Sequence, residues 1–398
     1  MMDTKTLLAW AETYHMPNFA RAPICLIRGE GVRVWDSDGR EYLDFGAGLA
    51  VTALGHCHPR VTGAIQEAAA TLLHVSNLYY SAPQIHLGKL LCEQSFADQV
   101  FFSNSGAEAN EAAIKLARRY AKERFATDRY EIIATHNSFH GRTLATVTAT
   151  GQPKYHHGFE PLVPGFKHVP YDDLRAMERA IDNRTAAVLV EPIQGEGGVH
   201  VPDDGYLPGL RKLCDESGAL LILDEIQTGI ARTGRLWSYE HAGIEPDIMT
   251  VAKALANGLP IGATLARREV ASVLTPGTHG STFGGNPFVT AVALAAFTTV
   301  LDDKLPERAT RMGRYLADGL RRLAGSRSDI REVRGRGLLI GMELTRPAGP
   351  VIDVCREAGL LILTAGEKVV RLAPPLIVEE RHCERALEIV GRALASTS

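Results

Sequence analysis

The chain has 398 residues, 45% of them apolar and 22% charged, with a formal net charge of −3. That length exceeds what one hydrophobic core usually supports, so two domains are expected, and the near-neutral charge gives no electrostatic basis for binding nucleic acid or an anionic membrane. No apolar run approaches the roughly 20 residues of a membrane span, and the six cysteines include no CxxC pair, a pattern that fits reduced, individually buried thiols in a cytoplasmic protein.

The N-terminal stretch MMDTKTLLAWAETYHMPNF contains acids and lacks a basic flank before an apolar core, so no secretory signal is expected. Residues up to about 60 read as irregular and strand-rich, with Arg33–Asp36 and Glu41–Phe45 flanking a turn at Ser37-Asp38-Gly39. His56-Cys57-His58 is too compact for a zinc site and lacks a second ligand group at suitable spacing, so no metal is expected. Pro59 suits the start of a helix through Arg60–Thr71. From about 85 to 270, apolar strands alternate with helical periods. The strands include Gln99–Phe102, Tyr130–Thr135, Ala186–Glu191, Ala219–Asp224 and Ile248–Val251, and the helices include Glu108–Ala121 and Gly209–Ser217. This alternation predicts an α/β fold with a mostly parallel central sheet covered by helices on both faces. Asn286–Asp302 reads as a long apolar helix leaving the large domain. Leu305–Gly325 is a second helix, and Arg331–Leu344 and Val369–Ala373 are strands of a smaller α+β domain. The expected division is an N-terminal segment, 1–60, packing with the small domain, a large domain, 61–300, and a small domain, 301–398.

The strongest chemical signal lies where the run Ala219–Leu223 ends in Asp224 and Glu225. Ligands of open α/β sheets bind at the carboxyl ends of the strands. Lys253 follows inside the apolar stretch Ile248–Leu255, and a lysine is rarely buried without a partner or a task. Taken singly, Asp224 suits a turn and Lys253 a solvated surface. Together they suggest pyridoxal phosphate chemistry, with Lys253 forming the Schiff base and Asp224 holding the pyridinium proton.

Other segments supply ligand chemistry of the same kind. FFSNSGAEANEAAIKLARRY runs from a strand through Ser103–Ala107 into a helix, whose N-terminal N–H groups favour an anion; an ordinary Ser/Asn helix cap fits the same residues. SFHGRT places Phe139, suited to stacking on a ring, three residues before Arg142, suited to gripping a carboxylate; a surface loop is the alternative. EPIQGEGG ends another buried strand with acids and glycines, HGSTFGGNP is a further Ser/Thr/Gly loop, and Arg371 stands alone in the apolar VVRLAPPL.

In that order, NSGAEANEAAIKLAR, LDEIQTGIARTG, AKALANGLPIGA and HGSTFGGNP resemble the class III (ω-) aminotransferases of the type I pyridoxal phosphate fold, from GHCHP at Gly55–Pro59 to RLAPPL at Arg371–Leu376. The resemblance implies Lys253 as the Schiff-base lysine, Asp224 paired with the pyridine nitrogen and Gln227 bonded to the ring hydroxyl. It also implies a phosphate site around Ser105, Gly106 and Ala107, with Phe139 over one ring face. Thr282, with Ser281 beside it, would reach the neighbouring subunit's phosphate and substrate, so the sites would be shared across a homodimer. Arg142 would bind the α-carboxylate of an acylated amino donor and Arg371 that of glutamate or 2-oxoglutarate. Glu196 would pair with Arg371 when a donor with no need of it occupies the site.

The implied reaction is reversible transfer of the distal amino group of N2-acetyl-L-ornithine to 2-oxoglutarate, a step of arginine biosynthesis. Ornithine, succinylornithine, N-succinyl-diaminopimelate and lysine are alternative donors, and 4-aminobutyrate fits the Arg142 and Glu196 set less well. Val51-Thr52 and Tyr79-Tyr80 depart from the commoner Val-Asn and Phe-Tyr of this family, in segments expected to line the donor pocket. A non-catalytic protein of the same fold is the reading from a different class, and the intact Lys253, Asp224, Arg142 and Arg371 argue against it.

Overall fold

Alternate residues of each central strand enter two different cores, which is the clearest mark of a sheet covered on both sides. Leu221 and Leu223 pack into one hydrophobic cluster with Val188, Val190, Met249 and Val251. Leu220 and Ile222 enter another with Ile132, Leu189 and Ile248. The computed structural model describes residues 3–125, 128–325 and 327–397. Its central sheet has seven strands in the order Gln99–Ser103, Gly262–Ala266, Ile248–Val251, Leu220–Asp224, Thr185–Val190, Glu131–Thr135 and Phe166–Val169. Every pairing from Ile248–Val251 to Phe166–Val169 is parallel. Gly262–Ala266 is antiparallel to both of its neighbours, so it alone among these strands runs in the opposite direction. The mostly parallel sheet with helices on both faces is therefore the observed architecture.

The helix Gly106–Arg124 carries the sequence logic of the large sheet. Ser105 caps it, Glu108 lies in its first turn and Lys122 and Arg124 in its last, each favourable to the helix dipole. Ala109, Ala112, Ala113, Ala117 and Ala121 are buried along it, and such small side chains let helix and sheet approach closely. The apolar helix Pro287–Asp302 buries Val289, Val292, Ala293, Ala296, Phe297 and Val300, and Trp237 stacks on Phe297 at 5.9 Å.

Two smaller sheets complete the fold. In one, Leu26–Glu30, Arg33–Asp36 and Glu41–Asp44 form an antiparallel meander, and Leu360–Leu361 adds in parallel to Glu41–Asp44. In the other, Ile330–Arg336, Leu339–Leu344, Val369–Leu372 and Leu363–Ala365 are antiparallel. The expected strand over Arg331–Leu344 is thus a hairpin, reversed at Gly337 and Leu338. Gly337 has φ +53, and a Cβ there would lie 2.4 Å from the Thr233 carbonyl carbon, so both the turn and the close approach require glycine.

The N-terminal region differs from the expected irregular, strand-rich segment in one element, because Thr4–Tyr14 is a helix capped by Asp3 that buries no residue. Without a buried face it leaves little apolar periodicity to read. The thiols also differ in part. Cys214, Cys355 and Cys383 are buried, Cys25 and Cys92 are half-buried, and Cys57 is exposed, all of them free.

Candidate active site

The carboxyl ends of the parallel strands open into a cavity of about 400 Å³. Ser105, Gly106 and Ala107 line it at the N-terminus of the long helix. Ser105 Oγ accepts from Glu108 N at 3.2 Å, so the residue that lines the cavity is also the helix cap. A Cβ on Gly106 would come within 2.8 Å of Ile226 Cδ1, and both residues line the cavity. A side chain at position 106 would therefore crowd Ile226 at the cavity wall, beside the helix N-terminus.

Asp224 lines the same cavity and is buried. Its Oδ2 accepts from His140 Nδ1 and from Asn110 Nδ2, each at 2.8 Å, and its Oδ1 accepts from Ile226 N at 3.0 Å. Asn110 is held in turn by Thr250, whose hydroxyl donates to Asn110 Oδ1 at 2.8 Å. Three donors thus converge on one buried carboxylate and fix its orientation. The next residue, Glu225, has another task. It accepts from Thr228 Oγ1, Ser238 N and Tyr239 N, tying down the following loop. Burial pushes its carboxyl up to about 7, against the pull of those donors.

Lys253 opens a short turn after the strand Ile248–Val251 and lines the cavity. Burial pulls its amine below the ordinary lysine value; the nearby charge of Arg371 acts in the same direction, and Glu196, Asp224 and Glu191 oppose it. Such an amine is predisposed to be neutral and nucleophilic. Arg371 comes from the strand Val369–Leu372 of the C-terminal sheet. Its Nη1 meets Glu196 Oε1 at 2.6 Å and Gln227 Oε1 at 3.3 Å, and Gln227 Nε2 donates to the same Glu196 oxygen at 3.1 Å. Burial alone would raise the Glu196 carboxyl, but Arg371 and then Lys253 hold it below the usual value. Glu191, on the cavity wall, is pushed well up by burial and by the Asp224 charge, and it accepts the Phe139 N–H at 3.0 Å.

Phe139 and Arg142 line the cavity from the SFHGRT loop. Tyr155 stands behind them, edge-on to Phe139 at 5.9 Å and beneath the Arg142 guanidinium at 3.8 Å. Val51 reaches the cavity after a left-handed turn in which Ala47, Gly48, Leu49 and Ala50 have φ of 47°, 61°, 68° and 64°. Non-glycine residues adopt that region at a cost of roughly 1–2 kcal/mol each. Asp44 holds the turn by accepting from Gly46 N and Ala47 N. Ser281 sits at the rim, its hydroxyl accepting from Asn104 Nδ2 at 3.2 Å. Thr282 is exposed and does not line the cavity. Tyr79 and Tyr80, expected near the donor, are 72% and 93% exposed and lie outside it as well. Their segment is bound to the Ser281 loop, since Asn77 Nδ2 donates to the Ser281 and Gly284 carbonyls.

Nine expected residues thus line one cavity: Ser105, Gly106, Ala107, Phe139, Arg142, Glu196, Asp224, Gln227 and Lys253. Arg371 joins them through Glu196, and Ser281 through Asn104. Sequence reasoning passed over Asn110, His140, Thr250 and Tyr155. Asn110 left a signal, as a polar residue on the alanine-rich face of its helix, and His140 stood inside a motif read only for its neighbours. Thr250 and Tyr155 left none.

The chain matches the aminotransferase class-III family over residues 15–394. It is 48% identical over 390 residues to an acetylornithine aminotransferase of Caldanaerobacter subterraneus subsp. tengcongensis, covering 98% of this chain and 99% of that one. It superposes on an ornithine aminotransferase of Toxoplasma gondii with a TM-score of 0.95 at 39% identity, covering 98% and 94% of the two chains; that structure is described with PLP at its active site. An acetylornithine aminotransferase of Elizabethkingia anophelis gives a TM-score of 0.90 at 35% identity, with all of both chains covered. A lysine and a buried carboxylate at strand ends, a helix N-terminus lining the same cavity and agreement along almost the whole length lead to one assignment: the chain belongs to the class III aminotransferases.

Proposed function

We propose that this pyridoxal-phosphate-dependent aminotransferase transfers the distal amino group of N2-acetyl-L-ornithine to 2-oxoglutarate, giving N-acetyl-L-glutamate 5-semialdehyde and L-glutamate. One observation carries the donor assignment. The site brings together two guanidinium groups in opposite states: Arg371, which reaches the cavity through Glu196 and is paired with it, and Arg142 on the cavity wall, which among the described residues makes no ion pair. An acylated donor needs one carboxylate site, and glutamate, a dicarboxylate, calls on a second. A movable Glu196 lets one cavity accept both.

The residues present fit the cofactor. A helix N-terminus free of a Cβ at Gly106 suits its phosphate, the Asp224 carboxyl its ring nitrogen, Gln227 its hydroxyl, Phe139 its ring face, and the amine of Lys253 its carbonyl carbon. Pyridoxal phosphate, when bound, supplies the carbonyl that takes up the amino group and a ring that withdraws electrons from the carbon bearing it. Asp224, fixed by His140 and Asn110, holds a proton at the ring nitrogen. Lys253, its amine lowered by burial, would take a proton from the amine-bearing carbon of the donor as base and give it up again as acid within the same half-reaction, and would carry a proton in the reverse sense in the second. Arg142 fixes the donor's α-carboxylate. Arg371 fixes that of glutamate once Glu196 swings away.

A homodimer with shared sites belongs to the same reading. Thr282 and Phe283 lie on the surface beside exposed Leu72, Leu73, Leu78, Tyr79 and Tyr80, an apolar area suited to burial against a second subunit. Thr282 would then serve the partner's phosphate. The division into 1–60, 61–300 and 301–398 is likewise proposed, supported by the pairing of Leu360–Leu361 with Glu41–Asp44. Free thiols suit a cytoplasmic location; among the described residues no helix is long and apolar enough to cross a membrane.

Half-reaction kinetics with acetylornithine, succinylornithine, ornithine, N-succinyl-diaminopimelate and 4-aminobutyrate at matched concentrations test the donor. Acetylornithine should give the highest kcat/KM. Ornithine or 4-aminobutyrate reacting as fast would overturn the assignment.

A further inference from the structure

Arg142 is exposed at the mouth of the cavity, where a long side chain ordinarily samples many rotamers. Here it does not stand free. Its Cζ lies 3.8 Å from the centroid of the Tyr155 ring and 5.7 Å from that of Phe139. A guanidinium that stacks by its face keeps its edge N–H groups available for a bidentate carboxylate. The ring beneath is itself fixed. Phe139 meets Tyr155 at 79° between planes. The segment carrying Tyr155 is laced to the segment carrying Arg142: Gln152 Nε2 donates to the Ser138 carbonyl at 3.0 Å, Gly151 N to Ser138 Oγ at 3.0 Å, and His140 N to Thr150 Oγ1 at 2.9 Å. Tyr155 N in turn donates to the Gln152 carbonyl at 3.0 Å. Platform and guanidinium are therefore two parts of one rigid unit.

We propose that Tyr155 is a specificity-determining positioning residue, a platform that pre-orients Arg142 to receive the α-carboxylate of the amino donor. The inference rests on the reading of Arg142 as the donor carboxylate site. Tyr155 acts through Arg142, and its contribution is the ordering of that side chain before the donor arrives. Lys154, whose Nζ is 4.8 Å from the same ring, is exposed and adds a second cation to it. Removing the ring thus costs the donor its docked carboxylate, while the chemistry at Lys253 is untouched. A donor with a terminal amine and no α-carboxylate gains nothing from the platform.

The test compares Tyr155→Ala, Tyr155→Leu, Tyr155→Phe and Arg142→Ala in the cofactor-loaded enzyme, with acetylornithine and with n-pentylamine as donors. Tyr155→Ala and Tyr155→Leu should raise KM for acetylornithine by about twofold to fivefold with kcat nearly unchanged, the size of a cation–π contact at an exposed site. The preference for acetylornithine over n-pentylamine, as a ratio of kcat/KM, should fall by the same factor. Tyr155→Phe should restore both, because the ring and not the hydroxyl makes the contact. Two variants that lose the ring by different routes guard against a simple failure of one to fold. A large KM effect for Arg142→Ala with none for the Tyr155 variants overturns the platform and leaves the Arg142 reading intact. No effect from either residue overturns the Arg142 reading itself. Equal losses with both donors would make Tyr155 structural only.

Discussion

Replacing Glu196 with alanine removes the one ion-pair partner, among the described residues, of a guanidinium that is almost wholly enclosed. Arg371 is 2% exposed and lies 2.6 Å from Glu196 Oε1. Its other contacts are neutral oxygens, the Gly195 carbonyl and Gln227 Oε1, each at 3.3 Å. A hydrogen bond to a charged group contributes about 1.5–3 kcal/mol net, which corresponds to about a ten- to hundredfold change in an equilibrium constant. That loss does not fall evenly on the two half-reactions. On the proposed roles, the carboxylate of bound 2-oxoglutarate or glutamate would occupy Arg371, with Glu196 moved away. With acetylornithine bound, Arg142 would hold the carboxylate, and Arg371 would stay unmasked in the variant, inviting the wrong binding mode. Glu196→Ala should therefore lower the preference for acetylornithine over glutamate by about ten- to hundredfold. Gln227, whose Nε2 also bonds Glu196 Oε1, is released at the same time. Glu196→Gln keeps an acceptor at that position without the charge, so it should give a smaller change in the same direction. Single-turnover spectra with each donor at matched concentrations measure the ratio directly. Equal slowing of both half-reactions, with the ratio intact, would refute the masking argument and leave Glu196 as a structural residue.

Asp224→Asn should cost at least about a hundredfold in turnover, the equivalent of roughly 3 kcal/mol, because it removes the charge that His140 and Asn110 are arranged around; near-normal turnover in fully loaded protein would contradict this. Lys253→Ala protein mixed with Thr282→Val protein should form hybrid dimers with one unimpaired site and recover activity, and proven subunit exchange without recovery would exclude a composite site. Glu225 supplies a pH test. Its folded value of about 7 lies above the ordinary 4.5, so between those pH values the folded protein binds more protons than the unfolded one, and stability falls as pH rises through that window. Glu225→Gln should flatten this slope in thermal denaturation at pH 5 and pH 7, and an unchanged slope would show that the carboxyl is ionised in both states.

The parallel strands and the helix at Gly106 were legible because their signals are local. Runs such as Ala186–Glu191 and Ala219–Asp224 are apolar throughout, as strands buried on both faces must be. Boundaries of these strands moved by at most one residue, since strand ends depend on ladder bonds to neighbours, and those of the helices Gly106–Arg124 and Tyr206–Ser217 by up to three. The reversed strand Gly262–Ala266 was legible only as part of a motif, because direction is set by its partners Gln99–Ser103 and Ile248–Val251. The helix Thr4–Tyr14 was missed because it has no buried face.

The sequence by itself determined the order of strands and helices, the family resemblance, and the residue types able to bind a phosphate, hold a proton and grip a carboxylate. Tertiary structure alone decided which of these meet. Asn110, His140 and Thr250 belong to three separate segments, yet they converge on Asp224 directly or through one bond. Arg371 reaches Glu196 and Gln227 from the C-terminal sheet. Tyr155 underlies Arg142 only because two loops are bonded side by side. The reason is physical. Apolar periodicity records how a segment meets the core next to it, whereas a buried polar network is satisfied by partners distant along the chain, and no local pattern registers them.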